Sequence, residues 1–299
     1  MLTHAEEDYI NSHAYLPEHL PGYVTSISET EPYLMNNYVC YYGNNGYLIF
    51  IGYPLKTGTQ DGDLKDILNM AIRRFKPEYV AVIAPKLLLP LKDCLKIASD
   101  CYYRVEIASL QLNQKLKNMI RYASKKLFIE KTQEITTEHL LLISEFMDSH
   151  KIDADTKYIF EKIPKYLSTV HTSWIFSARN EDKKLVAFDI ADFGAKDYVF
   201  YMFNFMSRKS YIRGASDLLL YEIIKTAKEK GKSFVNLGLG INEGVTFFKK
   251  KWDGVPFLNY EFCFYRGQRG IIPHSLMGFF SNAIKNLLRH MGRKAGAFS

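Results

Sequence analysis

One order of elements occurs twice in this chain, and few architectures accommodate that. The first run opens with NYVCYYGNNGYLIFIGY at residues 37–53, two β-rich segments around Asn44-Asn45-Gly46, which is a strong hairpin signal. After the loop PLKTGTQDGD, apolar residues at Leu64, Ile67, Leu68, Ala71, Ile72 and Phe75 predict a helix over Asp63–Phe75. A strand over Tyr79–Ala84, a helix over Leu91–Ala98 and a strand over Tyr102–Ile107 complete the run. The second run reads as strands over Thr172–Arg179, Leu185–Phe193 and Tyr198–Met206, then a long helix over Ser216–Lys230. A strand over Ser233–Leu237, a helix over Glu243–Lys251 and a strand over Phe257–Tyr265 follow. Strands alternating with helices call for α/β units with some parallel pairing, and the recurrence calls for a duplicated fold.

Between the runs lies a helical stretch. Asn113 caps a helix through Ser124, made basic by Lys115, Lys117, Arg121, Lys125 and Lys126. Thr136 or Thr137 caps a second through Ser149, and a third spans about Thr156–Leu167, with Pro164 kinking or ending it. The expected division is residues 1–112, residues 113–270 and a C-terminal segment, 271–299.

Charge locates a partner. The net charge is +7, yet residues 208–251 hold ten Lys/Arg against four Asp/Glu, and residues 266–299 hold six Lys/Arg and no acid. Local positive charge implies a local anionic partner, or lysines on solvated helix faces. No run of about 18 apolar residues suggests a membrane span, and the N-terminus lacks a signal-peptide pattern. Cys40, Cys94, Cys101 and Cys263 form no CxxC pair, so reduced thiols in a cytoplasmic protein are expected, with no metal site. In residues 273–294, Leu276, Phe279, Phe280, Ala283, Ile284, Leu287, Leu288 and Met291 form one stripe, flanked by Lys285, Arg289, Arg293 and Lys294. Such a helix packs on its own protein or lies on an anionic membrane surface, as a peripheral contact on the inner face.

The stretch SRKSYIRGASD, residues 207–217, leads into the long helix of the second run. A helix N-terminus carries free N–H groups and a partial positive charge. Gly214 permits close approach, Ala215 and Ser216 are small, and Arg208 and Arg213 add cationic donors. The plain alternative is a helix cap. Asp217 sits badly beside a phosphate and is a candidate cap. The equivalent turn of the first run, TGTQDGD, has no arginine and two acids, so no donor site is expected there.

Strand, R-x-x-x-x-R-G-A-S, helix, strand resembles the acyl-donor motif of GNAT-type N-acyltransferases. The run AKEKGKSFVNLGLG…GVTFFKKKWDG is similar to a branch of that superfamily, the Fem-type peptidoglycan aminoacyl transferases and the C-terminal domain of phosphatidylglycerol lysyltransferase. Phe248, Lys249, Trp252 and Gly254 match its F-K-x-x-W/F-G pattern, and NQKLKNMIRYASKK its basic inter-domain helix. The resemblance implies an α+β / α/β fold of two tandem GNAT-like domains with mixed sheets flanked by helices. It implies metal-free transfer of an acyl group from acyl-coenzyme A to an amine or hydroxyl of a small-molecule, peptide or lipid acceptor. It places donor contacts at Phe205, Met206, Arg208, Arg213, Gly214, Ala215, Ser216 and Asp217, with an oxyanion held near Asn204. Asp189 and Glu222 are the candidate bases, Asp189 sharing a strand, and by expectation a face, with Asp192. The tyrosine that many GNAT enzymes place after the glycine strand is replaced by Phe247 and Phe248. Aminoacyl transfer from charged tRNA and a catalytically degenerate binding protein remain open beside the coenzyme A reading; DNA is not an expected partner.

Overall fold

A computed structural model of the chain describes residues 2–56 and 63–267. The basic stripe of residues 273–294 and most of the first run's turn fall outside them. The first half holds helices α1 (His4–His13) and α2 (Pro21–Ser28), strands β1 (Glu31–Met35), β2 (Tyr38–Tyr42) and β3 (Tyr47–Ile51), helix α3 (Leu64–Phe75), and strands β4 (Tyr79–Ala84) and β5 (Lys96–Glu106). Helix α4 (Gln114–Ser124), strand β6 (Phe128–Thr132) and helices α5 (Thr137–Ser149) and α6 (Ala154–Thr169) follow. The second half holds β7 (Ser173–Arg179), β8 (Leu185–Asp192), β9 (Tyr198–Met206), α7 (Ala215–Glu229), β10 (Phe234–Leu239), α8 (Glu243–Lys251) and β11 (Val255–Arg266).

All eleven strands form one mixed sheet in the order β1-β2-β3-β4-β11-β5-β10-β9-β8-β7-β6. Two neighbouring pairs are parallel, β3 with β4 and β9 with β10, and α3 and α7 make the two crossovers. Duplication is thus visible as two copies of hairpin, helix and parallel strand. The halves exchange their last strands: β11 pairs β4, and β5 pairs β10, with β5 and β11 antiparallel to each other at the centre. A boundary at residue 112 divides the chain but not the sheet.

The expected helix over Leu91–Ala98 is a single 3-10 turn, Leu91–Asp93, running into β5. Leu91, Cys94, Leu95 and Ala98 fit a helical spacing, but β5 finds strand partners on both edges, and tertiary pairing overrides local periodicity. Pro164 does not end α6, which continues to Thr169. On either side of the proline Ile163 and Leu167 are buried, and beyond it the Tyr166 hydroxyl donates to Asp192 Oδ2 at 2.7 Å. These interactions offset the hydrogen bond that proline removes. Helices α4 and α7 cover one face of the second half, and α5 and α6 the other.

The thiol expectation is overturned at two positions. Cys94, just before β5, and Cys263 on β11 form a disulfide with Cα atoms 5.6 Å apart, closing a span of 169 residues. Cys40 and Cys101 are free. The inference of a reducing compartment loses its premise. In the loop-entropy account a cross-link over so long a span adds about 4–5 kcal/mol of stability. Alkylation in denaturant without reductant should modify two cysteines, Cys40 and Cys101, and four after reduction, as read by mass spectrometry; four labelled thiols in the unreduced chain contradict the cross-link.

Candidate functional site

Strands β9 and β10 run together for three residue pairs, ending at Asn236 opposite Phe200, and then part. Strand β9 continues along β8 to Met206, while β10 shifts register against β5 between Asn236 and Gly238. Local chemistry causes the parting. Asn236 is fully buried; its Oδ1 accepts the Gly238 N–H at 2.7 Å and its Nδ2 donates to the Tyr15 carbonyl at 2.8 Å. Gly238 takes φ 75°, a left-handed value that favours glycine. Side-chain bonds thus replace a stretch of the ladder and a cleft opens in the middle of the sheet.

A lysine lies beyond the parting, on the face that carries α7. Asn242 caps α8 by accepting the Val245 N–H at 2.9 Å. Seven residues on, Lys249 is only 3% exposed and its Nζ donates to the Leu239 carbonyl. The ammonium sits 5.8 Å from the centroid of the Tyr103 ring. A Cβ on Gly238 would lie 3.8 Å from Nζ, so that glycine leaves room beside it. Burial drives its pKa down to about 7, against a smaller upward pull from Asp100. Asp100 is itself held by the N–H groups of Cys101, Gly240 and Ile241 at 2.7, 3.2 and 2.8 Å.

Lys249 was absent from the expected site residues, although its signal was in the sequence. The matched pattern Phe248-Lys249-x-x-Trp252-x-Gly254 divides its labour in the structure. Lys249 enters the cleft. Trp252 is fully buried and donates from Nε1 to Asp217 Oδ1 at 3.0 Å, and Lys251 Nζ joins the same oxygen at 2.5 Å. A Cβ on Gly254 would fall 2.6 Å from the Lys249 carbonyl oxygen, so only glycine lets the chain fold back there. Asp217 therefore does not cap α7. Gly214 holds the cap position, and Asp217 ties α7 to α8.

The start of the stretch before α7 is held by a side chain of α5. Glu145 Oε1, from α5, accepts the backbone N–H groups of Arg208 and Lys209 at 3.1 and 3.4 Å and the Ser207 hydroxyl at 3.0 Å. Gly214 stands at φ 83°, and a Cβ there would meet Met119 of α4 at 2.9 Å from Cγ and 3.2 Å from its carbonyl oxygen. Arg208 and Arg213 are exposed. Ala215, the first residue of α7, is buried in the core, and Phe205 packs on the opposite face against Phe146, Phe160 and Phe188.

The structure brings some of the expected residues together. Asn204 donates from Nδ2 to Asp189 Oδ1 at 2.5 Å and to the Ser216 hydroxyl at 3.3 Å, with Met206 Sδ 4.0 Å from that hydroxyl. Asp189 is fully buried, and desolvation raises its pKa to about 8. Asp192 lies on the other face, bound to Tyr166, Thr172 and Ser173. The two aspartates are three positions apart, and odd spacing on a strand sends side chains to opposite faces. Glu222 stands apart, in an ion pair of 3.1 Å with Lys131 on β6, the sheet's outer strand. Among the described residues no group of His, Cys, Asp and Glu could hold a metal ion, and no helix is long and apolar enough to cross a membrane.

No protein-family profile matches this chain, and no curated protein matches it in sequence. Solved structures do. The C-terminal domain of a putative lysylphosphatidylglycerol synthetase from Agrobacterium fabrum is 16% identical, with a TM-score of 0.57 over 90% of this chain and 93% of that one. FemX is 12% identical, with a TM-score of 0.61 over 87% and 96%. A tandem GNAT protein from the clavulanic acid biosynthesis pathway is 8% identical, with a TM-score of 0.54 over 78% and 79%. Identities this low establish the fold: GNAT-like, a mixed sheet flanked by helices.

Two outcomes follow from the packing. Gly214→Ala meets a strained φ and Met119 together, and should cost about 1–3 kcal/mol in urea unfolding; adding Met119→Ala should recover part of it. Lys249 loses its proton near 7 when folded, against an ordinary 10.5. Between those values the unfolded chain binds the extra proton, so folding stability gains as pH rises from about 7 to about 10. The unfolding free energy of the wild type minus that of Lys249→Met should climb across that window, and a flat difference contradicts a buried amine.

Proposed function

We propose that the chain is an aminoacyltransferase, taking its acyl group from charged tRNA and delivering it to an amine or hydroxyl of a lipid or peptide acceptor. The observation that carries this reading is the buried Lys249 at the mouth of the cleft between β9 and β10. In the GNAT-like fold this is where an activated carbonyl would lie. A lysine whose pKa is near neutrality donates a proton to a departing oxygen and takes one from the attacking nitrogen with little driving-force penalty. It supplies what Phe247 and Phe248 cannot. Past Phe200 the edge of β9 facing away from β8 has no partner strand among the described residues, and its N–H groups can face a developing oxyanion.

The donor assignment rests on the turn before α7. The amides of Arg208 and Lys209 hold Glu145, and Met119 packs against Gly214, which disfavours a diphosphate beside them. The cationic side chains of the turn point to solvent instead: Arg208, Lys209 and Arg213 are exposed, as are Lys115, Lys117 and Arg121 on the adjoining α4 and Lys125 and Lys126 just after it. A broad exposed basic surface suits an extended polyanion better than one coenzyme. FemX and the lysylphosphatidylglycerol synthetase domain, which share the fold, support the same class of chemistry.

Thermal melts at low salt separate the donors. Charged tRNA should raise the melting temperature, and the shift should shrink steeply with added salt and in Lys117→Glu/Arg121→Glu. A shift with coenzyme A or acyl-coenzyme A alone replaces tRNA with a thioester donor. No shift with any of them leaves a binding protein on a GNAT-like frame. In assays following label from charged tRNA into phosphatidylglycerol vesicles or peptidoglycan precursors, Lys249→Met should lower turnover by about 10²–10⁴ while sparing the tRNA-induced shift.

A further inference from the structure

We infer that residues 273–294 pack their apolar stripe on an open strip of the sheet along β5 and β11, on the face that carries Lys249; the inference stands apart from the function proposed above.

The two faces of β5 and β11 differ. On one, Ala98, Tyr102, Tyr260 and Phe262 are buried in a core shared with Ile10 of α1 and Val24 of α2. The residues between them point the other way, where Ile97 pairs with Cys263 and Ser99 with Glu261. On that side α3 packs over β2, β3 and β4, and α4 and α7 pack over β7 to β10. Neither core takes in Ile97, or Leu91 and Leu95 just before β5, although β5 and β11 stand in the middle of the sheet. Leu91 is 61% exposed and Leu95 54%. An antiparallel sheet can leave one face in water, but such a face carries polar residues. Two exposed leucines and an isoleucine in line mark a surface that something covers.

The path of the chain selects the occupant. Strand β11 ends at Arg266 beside this strip, where the Leu95 N–H donates to the Phe264 carbonyl at 2.7 Å. Six residues, 267–272, separate Arg266 from the stripe. Length agrees as well. From Leu95 to Tyr103 an extended strand rises about 26 Å. The twenty-two residues of 273–294 would measure about 33 Å as a helix. A segment turning back from Arg266 along β11 therefore spans the strip and reaches Tyr103, whose ring lies beside the Lys249 ammonium. Charge agrees too. Glu261, midway along the strip, accepts the Ser99 hydroxyl at 2.6 Å and forms no ion pair among the described residues. Residues 273–294 hold Lys285, Arg289, Arg293 and Lys294 and no acid, so their flank can meet that carboxylate. Seated there, the segment adds a wall to the rim of the cleft.

Hydrogen exchange of the full chain, read by mass spectrometry, tests the seat. An amphipathic segment of this length is a marginal helix in water by itself, so slow exchange of its amides reports packing. Amides within 276–291 should be protected in the wild type. Combining Leu91→Glu with Leu95→Glu should lower that protection at least about tenfold and leave the amides of α3 and α7 unchanged. Both positions are exposed, so the fold beneath them should persist. A photo-crosslinking p-benzoylphenylalanine in place of Ser99 should join residues 276–291 of the same chain. Amides that exchange freely in the wild type, or whose protection ignores the two substitutions, overturn the inference. Protection that appears only with phosphatidylglycerol vesicles overturns it in favour of a membrane surface. Cross-links formed only between chains, rising with concentration, overturn it in favour of a second copy.

Discussion

Strand β5 hydrogen-bonds β11 along one edge and β10 along the other, and the site depends on that double pairing. It makes one sheet of two halves that each lack a closing strand. It also presents Tyr102 to one face and Tyr103 to the other at the register where β10 has left β9. A strand buried on both edges has no freedom to slip, because a one-residue shift would exchange its two faces. The cleft is therefore framed by the stiffest part of the sheet, although it is itself an interruption of the ladder.

Lys249 at the cleft and Asp189 beneath the start of α7 are both buried with no salt bridge among the described residues. Each is shifted mainly by loss of water, and each opposes folding when charged. Asp217 shows what a structural role looks like by contrast. It is just as enclosed, but Trp252 and Lys251 satisfy it and bind α8 to α7. Burial with partners holds elements together; burial without them raises or lowers a pKa into the range where protons are exchanged near neutrality.

The turn before α7 shows how a motif changes meaning in context. Arginines, a glycine and small residues at a helix start read as an anion cradle. In the fold Glu145 of α5 accepts the amides at its start, and Met119 of α4 packs against the glycine. Residue type and spacing describe what a turn can accept, whereas its neighbours decide whether the space is free. Most of the second half was legible from periodicity, as with α8, which spans the residues expected. The helix expected over Leu91–Ala98 was not, because β5 draws its order from strands far away in the sequence. Helices α1 and α2 escaped for a similar reason: neither carries a strong apolar stripe, and what positions them is the sheet they cover.

From the sequence alone came the duplicated order of elements, the GNAT-like likeness, the basic helix before the second half and the motif that contains Lys249. These depend on local spacing, which the chain carries in any conformation. The tertiary structure decided the strand exchange, the Cys94–Cys263 cross-link, the hold of Glu145 on the stretch before α7 and the burial of Lys249. Those depend on which distant residues become neighbours, and burial, which sets the charge of each group, exists only once they have met.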